Sequence, residues 1–252
     1  MNKPVEMQAG GYAYVPGVFQ YSAGVGALPG FRIDRVRFDK VVPMEQGFQL
    51  IADYLKSSNR PLTAFCACEM RSPKPFDEEG FVTFNRLYSK TLIEWGVMAG
   101  EDNPVARSNV CPEIDPPSEP GFHAFCYTVP DDTPSPTFAI AGSGEAPEGK
   151  GNYRDHIVRR GEVDADGLHE KARWVMGEME RRMSYFDAGW ADTTAAQLYT
   201  LYDIHPFIED LVKRGALRNG LTWHYDRPPV VELDYEMDCR RIRHERVIPS
   251  GL

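Results

Sequence analysis

The chain has 252 residues, 42% of them hydrophobic and 26% charged, and a formal net charge of −9. That length can bury a full-sized core, as one large domain or two small ones. The acidic balance argues against a nucleic-acid partner, which an excess of Lys and Arg usually marks. No apolar run approaches the ~20 residues of a membrane span, and the opening "MNKPVEMQAGGYAYVPG" lacks the apolar centre of a signal peptide.

In chain order, "FQYSAGVGA" (19–27) and "FRIDRVRFD" (31–39) read as strands, the second setting Phe31, Ile33, Val36 and Phe38 among charges. "VPMEQGFQLIADYLKSSN" (42–59) reads as a helix with Phe48, Ile51, Tyr54 and Leu55 on one face. "LTAFCACEMR" (62–71) is a strand-prone run stopped by "SPKP". "DEEGFVTFNRLYSKTLIEWGVM" (77–98) is a helix whose first-turn acids suit the dipole and whose Phe81, Phe84, Tyr88, Leu92 and Trp95 form one stripe. "ARSNVC" (106–111) and "GFHAFCYTV" (121–129) close the first half as strands.

The proline-rich "YTVPDDTPSPTF" then makes a poor helix and a poor central strand, so it reads as an exposed linker over 131–136. This predicts a first domain at 1–130 and a second at 137–252. In the second half, "TFAIAGSGEA" (137–146) and "HIVRRGE" (156–162) read as strands. "DADGLHEKARWVMGEMERRMSYF" (164–186) is a helix with a Leu168, Ala172, Val175, Met176, Met179, Met183 stripe. "AAQLYTLYDI" (195–204) is a strand and "HPFIEDLVKRGA" (205–216) a helix with Pro206 in its first turn. "GLTWHYD" (220–226) and "VVELDYEMDCRRI" (230–242) are strands. Each half thus has the order β-β-α-β-α-β-β, an α+β layout with helices on one face of a mixed sheet.

Several residues stand out chemically. Pro104 disfavours helix at Asn103, and Arg107 then opens a strand between the small Ala106 and Ser108. Its guanidinium is a planar, permanent charge suited to a carboxylate, with Ser108 and Asn109 as polar neighbours; a solvated strand-end charge is the alternative. In "ELDYEMD", alternation sets Glu232, Asp234, Glu236 and Asp238 on one side, which must be wet or near cations such as Arg240, Arg241 and Arg243. "AGSGEAPEGKGNYRD" (141–155) lacks phosphate-loop spacing and reads as a loop bordering a cleft, lined by Ser143 and Glu145. The cysteines (Cys66, Cys68, Cys111, Cys126, Cys239) are odd in number and lie mostly in apolar runs, as reduced thiols do in a cytoplasmic protein. They are too dispersed for a zinc site, so no metal is expected.

"FVTFNRLYSKTLIEWG", "NPVARSNVCPEI" and "GFHAFCYTVP" resemble the RidA/YjgF family of small enamine/imine deaminases, with its F-x-x-x-N-x-x-Y helix and P-A-R-[ST]-x-V strand. "FAIAGSGEA", "GLHEKARWVMGEMERRM", "QLYTLYDIHPF" and "VVELDYEMDCR" resemble the same family again. The resemblance implies two tandem RidA/YjgF-like (chorismate mutase-like) domains. It implies that Arg107 grips a substrate carboxylate, with Asn85 as the family's helix asparagine. The family's catalytic acid falls on Gly121 in the first copy, with His123 two residues on, and on Asp234 or Glu236 in the second. The second copy has Thr222, Trp223 or His224 where its arginine belongs. Each copy keeps one part of the pair, which implies a composite site: Arg107 facing Asp234 or Glu236, with His123 or His224 handling a proton. Family rings of three domains imply a homotrimer with sites at seams. The implied activity is hydrolytic deamination of a small carboxylated enamine or imine, such as a 2-aminomuconate-like or 2-imino acid, with no cofactor. The alternatives are a non-catalytic metabolite-binding module and a chorismatase-like hydrolase.

Overall fold

Helix positions follow from apolar spacing and end signals. In the computed structural model, which describes residues 3–132 and 135–251, α1 (Met44–Ser57) buries Gly47, Phe48, Ile51 and Leu55. Helix α2 (Glu78–Glu94) starts where the Asp77 carboxylate accepts from the Gly80 amide at 2.7 Å, and α3 (Ala165–Ser184) where Asp164 accepts from Gly167 at 2.8 Å. Helix α4 (Ile208–Arg214) stops at Gly215, whose φ of 90° is left-handed. Residues 133 and 134, within the expected linker, lie outside the described residues.

The strands are β1 (Val5–Met7), β2 (Tyr12–Val15), β3 (Gly24–Ala27), β4 (Phe31–Pro43), β5 (Phe65–Arg71), β6 (Ala106–Pro112) and β7 (Gly121–Pro130). There follow β8 (Phe138–Gly144), β9 (Ala195–Tyr199), β10 (Leu221–His224), β11 (Asp226–Arg227), β12 (Glu236–Arg241) and β13 (Glu245–Ile248). They form a seven-stranded sheet, β1-β2-β3-β8-β12-β9-β10, and a six-stranded sheet, β11-β6-β5-β7-β4-β13.

This corrects the expected fold of two tandem copies. A self-contained copy would close its sheet with its own strands. Here the amino-terminal β1–β3 hydrogen-bond to the later sheet, through Val25 against Ala139 of β8. The late strands β11 and β13 join the earlier sheet, Asp226 opposite Pro112 and Glu245 opposite Arg35. Three further expectations fail locally. "HIVRRGE" is a 3₁₀ turn and loop, where Arg159 and Gly161 have φ of 50° and 75°. "VVELDYEMDCRRI" becomes strand only from Glu236, because Glu232 sits at φ 70° and breaks the extended run. In "FQYSAGVGA" only Gly24–Ala27 pairs as β3, while Tyr21 and Ser22 make isolated bridges.

The sheets pack face to face with the helices outside. Phe48, Ile51, Phe81, Tyr88 and Leu92 of α1 and α2 join Phe122 and Phe125 of β7 in one core. Leu168, Val175, Met176 and Met179 of α3 join Leu198 and Met237 in a second. A thinner apolar cluster between the sheets (Val25, Ile33, Ala67, Ala106, Cys126, Ala139, Ala141) brings β6 against β8. Period-two alternation sends Tyr235, Met237 and Cys239 toward α3 and Glu236, Asp238 and Arg240 into the seam.

Candidate functional site

Arg107 sits on β6 opposite Cys68 of β5 and its side chain turns toward α2. One terminal nitrogen, Nη2, donates to Asn85 Oδ1. That amide is fixed in turn, because Asn85 Nδ2 donates to the Phe81 carbonyl at 2.6 Å. The guanidinium is caged by the rings of Tyr88, Phe84 and Tyr21 at 4.7, 5.3 and 5.6 Å. Arg107 is 2% exposed, and its Nη1 is buried with no hydrogen-bond partner. Among the described residues no carboxylate pairs with it. A buried cation without an anion costs several kcal/mol.

Arg107 borders a cavity of about 30 Å³ lined also by Asn109, Glu236, Tyr21, Tyr153 and Phe81, with Val230 and Leu233 as an apolar wall. It has room for a water or two. Asn109 turns its Oδ1 to Ser72 Oγ at 2.9 Å and leaves Nδ2 a spare buried donor. Burial pushes the Tyr153 phenol to about 12, so it keeps its proton. Tyr21 donates to Glu148 at 2.8 Å, and Glu148 accepts from the fully buried Arg182 at 2.7 Å. Arg182 also donates to the carbonyls of Ala141 and Gly142 at 3.1 and 3.2 Å, holding β8 beside Glu236.

Glu236 is the buried acid of this cavity. A Cβ on Gly142 would lie 2.1 Å from its Oε1, so a side chain there would have to push the carboxylate aside. Burial pushes the Glu236 carboxyl well above the usual carboxylate range; Asp238 and Glu145 add to the shift, and Arg182 and Arg71 oppose it. Asp238 is raised as well, by burial and then by Glu69. It accepts from Ser108 Oγ at 2.6 Å, Tyr199 OH at 2.8 Å and Gln197 Nε2 at 2.9 Å, and Gln197 Oε1 meets His224 Nε2 at 3.2 Å. Glu236 and Asp238 on this face of β12 are therefore buried, and Arg240, next along it, pairs with Glu245 at 2.7 Å.

The other candidate residues lie elsewhere. Asp234 and Glu145 clamp the fully buried Lys171 at 2.7 and 3.1 Å, and Glu145 also accepts from the amides of Asp234 and Tyr235 at 2.7 and 3.1 Å. This fixes the turn entering β12. Lys171→Met strands two carboxylates and is expected to cost about 3–5 kcal/mol of stability, measured by denaturant unfolding; an unchanged midpoint would contradict the clamp. Ser108 faces Asp238, and Ser143 Oγ bonds the Gly144 carbonyl at 3.2 Å. His123 lines a separate groove with Asp39, Lys40 and Glu119, its pKa pushed down to about 3 by burial and then by Arg71. His224 stacks on Tyr199 at 5.0 Å, and Trp223 donates to the Thr200 carbonyl at 2.9 Å. Of the proposed set, Arg107, Asn85, Asn109 and Glu236 come together.

Tyr21, Glu148, Tyr153 and Arg182 escaped the sequence reading. Arg182 had a usable signal, since it lies three residues past Met179 on the apolar stripe of α3. Among the described residues no group of three or more His, Cys, Asp or Glu is placed to hold a metal, and no helix is long and apolar enough to cross a membrane.

A family model described as 2-aminomuconate deaminase CnbZ matches residues 4–246. A 2-amino-5-chloromuconate deaminase from Comamonas testosteroni is 46% identical over 251 residues, covering 98% of this chain and all of that protein. A crystal structure of a chorismatase superposes with a TM-score of 0.52 at 9% identity, over 87% of this chain and 77% of that one. At that identity the likeness concerns fold alone. These findings overturn the RidA/YjgF assignment and the tandem arrangement drawn from it; the homotrimer expectation rested on that premise.

Proposed function

The chain belongs to the CnbZ family of 2-aminomuconate deaminases, and on that premise we propose that it hydrolyses a 2-aminomuconate to the 2-oxo diacid and ammonia at the cavity between Arg107 and Glu236. The observation that carries this reading is the caged guanidinium with a buried, unpartnered Nη1 and no anion pairing with it among the described residues. The C1 carboxylate takes that nitrogen, with Asn109 Nδ2 as a second donor, and so places C2 and its amino group in the cavity.

Protonation of the enamine carbon, with loss of a proton from the nitrogen, gives the imine. Water then adds to C2, and the carbinolamine expels ammonia, so that C=NH and H₂O become C=O and NH₃. Each step needs a proton placed or removed and no electron transfer. Glu236, held protonated at rest by its burial, is the acid for the first step and, once ionised, the base for the attacking water. The neutral Tyr153 phenol adds a donor at the cavity wall.

The test is a direct assay. Freshly generated 2-aminomuconate should lose its conjugated absorbance and release ammonia far faster with the purified protein than in buffer. An unchanged substrate lifetime would end this reading. Hydrolysis of a chorismatase type has only the shared fold behind it, which does not carry function.

A further inference from the structure

We propose that Lys150 binds the distal carboxylate of a dicarboxylate substrate whose reacting end is held by Arg107. This rests on the deaminase reading above and deepens it. The inner cavity, about 30 Å³, is too small for a whole six-carbon diacid. A groove of about 450 Å³ adjoins it and shares two of its walls, Phe81 and Tyr153. A conjugated diene is stiff, so a substrate anchored on Arg107 through C1 must send its far end past those two rings into the groove.

The charges of that groove select one recipient. Glu78 accepts from the amides of Tyr153 and Arg154 at 2.9 and 3.2 Å. Glu101 is held by both terminal nitrogens of Arg86 at 2.7 and 3.0 Å. Both acids are thus engaged, whereas Lys150 lines the groove with no ion-pair partner among the described residues. Gly149 and Gly151, at left-handed φ of 70° and 40°, flank it. A buried unpaired cation at the inner end and a free one at the outer end make a two-point grip for a diacid. A monoacid would use only the first.

The experiment compares kcat/KM for 2-aminomuconate with that for an enamine of a 2-amino monocarboxylic acid, in the wild-type protein and in Lys150→Ala and Lys150→Glu. The diacid-to-monoacid ratio should fall by up to about fivefold with alanine, the range of an exposed ion pair, and further with glutamate. Added salt should shrink the wild-type preference. Equal losses on both substrates, or an unchanged ratio in Lys150→Glu, would overturn the assignment while leaving the deaminase reading intact. Muconate has no amino group to lose and separates the two ideas. Calorimetry should show weaker muconate binding to Lys150→Glu than to wild type whether or not the protein turns over an enamine. Equal binding, or none to the wild type, would overturn the subsite.

Discussion

Arg107→Met should lower kcat/KM for 2-aminomuconate on the order of 10²–10³-fold while leaving the protein folded. Losing the partner of a buried charge–carboxylate contact costs about 2–5 kcal/mol, and about 1.36 kcal/mol is tenfold in rate. Stability should hardly move, because two effects oppose each other. Removing an unpaired buried cation can stabilise by about 1–4 kcal/mol, while leaving Asn85 Oδ1 without its donor costs about 1–3 kcal/mol. The aromatic cage of Tyr21, Phe84 and Tyr88 accepts a methionine side chain of similar length. Arg107→Lys keeps the charge but loses the planar fork, so it should fall between wild type and Arg107→Met. Steady-state kinetics beside thermal unfolding reads both quantities. Near-normal turnover in Arg107→Met would remove the guanidinium from the site.

The sequence exposed the local physics well and the long-range pairing poorly. Helices α1, α2 and α3 follow from apolar stripes and from Asp77 and Asp164 at their starts, all of which are short-range signals. Arg107 was visible for the same reason, as a charge between small residues just after a helix-ending proline. Which sheet a strand joins is different. The Val25–Ala139 and Arg35–Glu245 pairings join segments more than a hundred residues apart, and alternation along one strand carries no address for its neighbour. The acids near β12 show the same limit. Period-two counting placed Asp234 and Glu236 on one face, but the left-handed Glu232 ends that regularity. Asp234 then goes to Lys171 while Glu236 goes to the cavity. Lys171 itself, three residues past Leu168 on the buried stripe of α3, was the available clue that a partner acid had to be found for it.

Glu236 is where pH dependence should reside. Burial favours its neutral form, so the acid needed for the first proton transfer is present below the elevated pKa and disappears as pH rises through it. Activity should therefore fall on the alkaline side. Glu236→Gln, which keeps the shape but can neither give nor take the proton, should be slower by about 10²–10⁴-fold, and that alkaline limb should vanish from its profile. Stability follows the same sign. A group whose folded pKa lies above its unfolded value contributes stability that is complete below the unfolded value and is lost as pH rises through the folded one. Glu236→Gln should thus resist alkaline unfolding better than wild type. Asp238 supplies the check on cause, since its charge helps hold the Glu236 pKa up. In Asp238→Asn, which keeps the oxygen that accepts from Ser108 and Tyr199 and gives up the acceptor for Gln197, the alkaline limb should move to lower pH. A limb that stays in place in Asp238→Asn and survives in Glu236→Gln would assign the titration to some other group and take the acid–base role from Glu236.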